Sequence, residues 1–167
     1  MAAKKKTTKA ATRTPEELVG AYAREAAPLE RRGEGGPEQL PAGAAILELD
    51  AAGRAAAAVA AYRALPRGGG SYGQRIMLGV LVSKLLKSKL PFDDAQIEAM
   101  ALGAAHAWGP AWGPCDYDRA LVTMLDKRGL PLNGATKAAL ALLVRRRGTK
   151  FAEDRQVVSL CERLAAR

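Results

Sequence analysis

Cys115, His106, Asp116 and Asp118 fall within one short stretch, HAWGPAWGPCDYD at 106–118, and are the residue types that build a thiol nucleophile with its base, or a metal site. A thiol at the start of a helix can have its pKa lowered, and a histidine in hydrogen-bond contact completes a nucleophile–base pair. Here the only histidine lies nine residues upstream of the cysteine, across two prolines, so the loop permits that contact without requiring it. The set has none of the fixed ligand spacings of a zinc site. Asp116 or Asp118 capping a helix and His106 closing another account for the same residues with ordinary structure. No catalytic residue, metal or cofactor is assigned on this pattern, and the chain reads as a binding protein rather than an enzyme.

Three further patterns bear on binding. Gly68, Gly70 and Gly73 satisfy G-x-G-x-x-G, but an alanine-rich helical segment precedes them, whereas the dinucleotide motif needs a buried strand there. An interhelix loop is the better reading. The tripeptide Trp-Gly-Pro occurs twice, at 108–110 and 112–114; Trp108 continues an apolar stripe, which leaves Trp112 as the candidate to meet a partner. Cations cluster at Lys4, Lys5, Lys6 and Lys9 in the N-terminal arm and at Arg145, Arg146, Arg147 and Lys150 near a helix end. Both clusters can hold phosphates by counterion release. Equally, the arm can act as a solubilising leader, and the arginines can offset the negative end of a helix dipole.

The elements that must carry these residues are set by an internal repeat. Residues 81–100, LVSKLLKSKLPFDDAQIEAM, align without a gap on 121–140, LVTMLDKRGLPLNGATKAAL, with eight identities in twenty positions. Chance in a chain this rich in Leu and Ala gives about two. In the first copy Leu78, Leu81, Val82 and Leu85 form an apolar stripe at helical spacing, while Ser83, Lys84, Lys87 and Ser88 lie off it. Pro91 breaks the helix, Asp93 or Asp94 caps the next, and Ile97, Met100, Ala101, Ala104 and Ala105 make its stripe. The second copy uses Pro131 and Asn133 in the same places. Each copy is thus expected to be an antiparallel helical hairpin, with the second stacked on the first so that Leu121, Val122 and Leu125 extend one core.

The rest of the chain is read around that pair. Residues 1–14 carry five cations and no acid, too few apolar groups to repay ordering, and are expected to be a disordered arm. Thr14-Pro15-Glu16-Glu17 starts a helix that runs to about Ala27, with a narrow apolar face suited to capping the repeats. A Pro- and Gly-rich loop over 28–43 leads to one alanine-rich helix over 44–65, interrupted at Gly53 at most. The closing segment 152–167 offers Val157, Val158, Leu160, Cys161 and Leu164 for burial. Aromatic residues make up only 5% of the chain, and alanine abounds, which favours close-packed helices over a sheet. The net charge of +9 is concentrated in the arm and in 74–150. No segment has the length of a membrane span and no secretory signal opens the chain, so a cytoplasmic protein is expected, with Cys115 and Cys161 as reduced thiols.

The run LVSKLLKSKLPF and its copy resemble the helical repeats of HEAT-like solenoids, and in particular repeat regions of large bacterial proteins that carry WGR domains. The resemblance covers residues 74–147 and implies a stacked helical scaffold for protein or nucleic-acid partners. The expectation is a single all-α domain over 15–167, a short solenoid or compact bundle of six or seven helices. Its function is expected to be protein interaction, with nucleic-acid binding through the arm and the Arg145–Lys150 cluster as the alternative.

Overall fold

The computed structural model describes residues 13–29, 36–65, 71–107, 116–129, 131–147 and 152–166. Among these residues the chain is all-helical and has no strand. The helix starts follow from local chemistry. In α1 (Pro15–Ala26) the Thr14 hydroxyl accepts from Glu17 N at 3.2 Å and the Glu17 carboxylate accepts from Thr14 N at 2.8 Å, a reciprocal capping box. A second box opens α5 (Asp94–His106), where Asp93 and Gln96 exchange bonds of 2.7 and 3.1 Å. At α7 (Gly134–Arg147) the Asn133 side chain accepts from Thr136 N at 2.7 Å, as its position after Pro131 predicts.

The alanine-rich segment differs from expectation. It forms two helices, α2 (Pro41–Glu48) and α3 (Ala51–Ala64), and the break falls at Leu49 and Asp50 rather than at Gly53. The cause is Asp50, whose carboxylate accepts from Gly53 N at 2.7 Å and so caps a new helix instead of continuing the old one. Three helices follow in chain order around α5 and α7, namely α4 (Tyr72–Leu86), α6 (Asp116–Arg128) and α8 (Ala152–Ala166). Ser71 caps α4 through Gln74 N at 3.1 Å. Gly129, at φ 60°, lets its N–H turn back to the Leu125 and Asp126 carbonyls and ends α6. Eight α-helices and one short 3-10 turn (Pro37–Gln39) are therefore described, against the six or seven expected.

These helices pack in two rows. One row runs α1, α3, α5, α7, each against the next, and the other runs α4, α6, α8. Between rows, α4 packs on α1 and α3, α6 on α5, and α8 on α7, while α2 lies against α1. The repeat expectation is half right. Equivalent helices of the two copies do stack, α4 on α6 and α5 on α7, and Leu81, Val82, Leu85, Leu121, Val122 and Leu125 are all buried. The helices flanking each Leu-Pro corner, however, pack on other helices rather than on one another, so neither copy is a hairpin. From α3 onward the pairs of consecutive helices in contact are α3–α4, α5–α6 and α7–α8, one helix out of phase with the expected units. The corner at 87–93 instead carries the chain from one row to the other, and Leu90 and Phe92 are buried on the way.

The N-terminal helix is also more than a cap. Leu18, Val19, Ala21, Tyr22, Ala23 and Ala26 are buried, a broad face in which small residues let α1 approach its neighbours closely. Buried Tyr22 donates its hydroxyl to the Met77 carbonyl of α4 at 2.9 Å. Tyr62 of α3 does the same to the Tyr117 carbonyl of α6 at 2.7 Å, its ring edge-on to that of Tyr117 at 6.3 Å. Both members of the second pair lie 40 residues beyond those of the first, so the repeat spacing extends to α1 and α3. Contact along the row is close: a Cβ on Gly103 of α5 would stand 2.7 Å from the Tyr62 carbonyl oxygen.

Candidate binding groove

Beside its buried stripe, each of the stacked helices α4 and α6 carries a second stripe at i, i+3, i+4 and i+7. On α4 it is Val80, Ser83, Lys84 and Lys87; on α6 it is Ala120, Thr123, Met124 and Lys127, the same four positions 40 residues on. Because equivalent helices stack, these stripes face a common groove of about 1410 Å³, closed at one end by Ser88, Lys89, Leu90 and Pro91 of the corner and edged by Gly36 and Pro37. Leu86, Leu90 and Met124 are buried in its floor, while Lys84, Lys87, Lys89, Thr123 and Lys127 are exposed at its rim. Arg119 and Arg128 complete six cations among the described lining residues, which include no carboxylate.

The cations are not equivalent. Lys84 pairs with Glu38 of the 3-10 turn at 2.6 Å, and that hydrogen bond, followed by one from a backbone N–H, holds the Glu38 carboxyl below the usual carboxylate range. Arg128 is committed to structure: its guanidinium donates to the Leu90 carbonyl and lies 5.2 Å from the centre of the Phe92 ring, tying the corner to the end of α6. The ammonium groups of Lys87, Lys89 and Lys127 have no hydrogen-bond or ion-pair partner among the described residues. Lys87 and Lys127 occupy the same repeat position.

Of the residues singled out for chemistry in the sequence, Cys115 lies outside the described residues, and the others are placed as follows. His106 is the last residue of α5, as a helix end predicts. Asp118, one of the two aspartates expected to cap α6, sits inside the first turn of that helix and is fully buried. Its charge, after burial itself, raises the pKa of Tyr62, and the same two causes in the same order push the Cys161 thiol up to about 12. A thiol so placed stays protonated and unreactive at neutral pH. No group of three or more His, Cys, Asp or Glu among the described residues has metal-binding geometry. Gly73 is a packing position, since a Cβ there would meet the Leu29 carbonyl oxygen of the chain leaving α1 at 2.0 Å.

Arg145 is exposed on α7, beside a smaller depression of about 610 Å³ shared with Cys161 and Glu162 of α8. Trp112, Cys115, Lys4, Lys5, Lys6, Lys9 and Lys150, and the side chains of Arg146 and Arg147, lie outside the described residues. The groove cations were missed as a set because in sequence they read only as the wet side of two helices. The signal was present in the identity of Lys87 with Lys127 and the Ser83–Thr123 match.

No family model matches this chain, and neither does any curated protein or solved structure. The groove therefore has to be read on its own chemistry. No helix among the described residues is long and apolar enough to cross a membrane.

Proposed function

We propose that the chain is a non-enzymatic scaffold, built from helix pairs stacked in the manner of HEAT-like repeats, which holds a partner protein in the groove between α4 and α6. One observation carries the reading: two identical-register stripes combine an apolar floor with a cationic rim on a surface that none of the described helices covers. The groove exceeds the roughly 300–1,000 Å³ of a small-molecule site and is open, which suits a chain-like ligand better than a metabolite.

Nucleic acid is the second reading, favoured by the six cations. Against it stands the lining itself, which contains no aromatic ring among the described residues on which a base could stack. A photo-crosslinking amino acid placed at the exposed groove position Thr123, with exposed Leu102 as control, tests the choice in a lysate of the source organism. A protein adduct formed at 123, absent at 102 and lost when Lys87 and Lys127 are changed to Glu, supports the scaffold. Equal yields at both positions, or adducts consisting of nucleic acid, overturn it.

A further inference from the structure

The distribution of charge and apolar surface in the groove identifies its occupant more closely. Five of the six cations, Lys84, Lys87, Lys89, Lys127 and Arg128, lie at the C-terminal ends of α4 and α6 or just beyond, and only Arg119 lies towards the other end. A phosphate chain carries charge at every unit and gains most from cations spread along its length. This groove instead offers a charged end and an apolar floor of Val80, Leu86, Leu90, Ala120 and Met124. Some of the charge serves the fold, since cations at a helix C-terminus offset its dipole. That does not account for Lys89, which lies past the end of α4, nor for three ammonium groups that have no partner among the described residues at one end of one groove.

Two further features define what fits. The walls are two helices stacked side by side, and a furrow between helices receives the ridge of a third, with anchors at i, i+3, i+4 and i+7. The floor needs apolar anchors on that ridge, and the rim needs carboxylates flanking them, set to reach Lys87 on one wall and Lys127 on the other. We infer that the groove between α4 and α6 binds an acidic amphipathic helix of a partner protein, with Leu-type side chains on the floor and carboxylates paired with Lys87 and Lys127. The inference rests on the scaffold reading above and adds the chemistry of the bound segment.

The test uses the full chain and a fluorescein-labelled peptide of about 18 residues, helical, with Leu at i, i+3, i+4 and i+7 flanked by Glu. A scrambled peptide of the same composition and a single-stranded oligonucleotide serve as comparisons, with binding read by anisotropy at low and at physiological salt. The expected result is binding of the helical peptide at least about tenfold tighter than the scrambled one. It should weaken about tenfold in the Lys87→Glu, Lys127→Glu double variant and return when the peptide's Glu residues are exchanged for Lys. Thr123→Glu, which places one carboxylate at an exposed mid-groove position, should weaken binding too and serves if the double variant does not fold.

Equal affinity for the scrambled peptide overturns the inference in favour of a plain polyanion site. Tighter, Lys87- and Lys127-dependent binding of the oligonucleotide overturns both the inference and the scaffold reading. Failure of the helical peptide alongside groove-specific protein crosslinking at position 123 removes the acidic helix and leaves the scaffold.

Discussion

Tyr22 and Tyr62 show how much one repeated side chain can do. Each reaches from one row of helices to a carbonyl in the first turns of a helix in the other, and in each case burial is the first cause of a raised phenol pKa, so the group stays a hydrogen-bond donor at all ordinary pH. The accepting carbonyls lie within helices, so losing the phenol need not orphan them. Tyr22→Phe and Tyr62→Phe should therefore each cost about 1 kcal/mol, the net worth of one buried hydrogen bond. The two bonds share no partner, so the double variant should cost about 2 kcal/mol. Urea denaturation with unchanged m-values would measure this. A double variant no worse than either single would mean the two tyrosines do not act as separate struts.

At the scale of elements, the starts and stops were written locally and could be read. The Thr14 and Asp93 boxes, the Asn133 cap and the proline corners each depend on a few consecutive residues. The partners of each helix depended on what lay across the fold. A Leu-Pro corner looks the same whether it closes a hairpin or passes between rows, and only the neighbours of α4 and α5 decide. Arg128 is the residue that makes the corner definite, holding the Leu90 carbonyl and the face of Phe92 from the end of α6. Arg128→Ala should lower stability by about 1–3 kcal/mol, the range for a hydrogen bond to a charged group together with a cation–π contact. Arg128→Lys should recover less than half of the loss, because an ammonium cannot reproduce the planar contact with both groups. Full recovery by Lys would show that only charge matters there. The groove escaped the sequence for a related reason: Ser83, Lys84 and Lys87 are unremarkable as positions off a helix's apolar stripe until α6 places Thr123, Met124 and Lys127 beside them.

The molecule as a whole is a row-by-row stack, and that has a consequence for how it comes apart. α8 packs on α6 and α7 at one end, whereas α1 packs on α2, α3 and α4 at the other. In a structure whose parts contact only near neighbours, stability is a sum of local and interfacial contributions, so damage at one end is felt first at that end. Leu164 of α8 is buried, and Leu164→Ala should cost about 2–5 kcal/mol of local packing. Amide hydrogen exchange should then accelerate in α8 and on the faces of α6 and α7 that it covers, with α1, α2 and α3 keeping their protection. The groove belongs to α4 and α6, so the Leu164→Ala protein should still bind an acidic helix, more weakly only as far as α6 loosens. Uniform acceleration through all eight helices would instead show that one cooperative core, rather than a chain of neighbours, sets the stability of the groove.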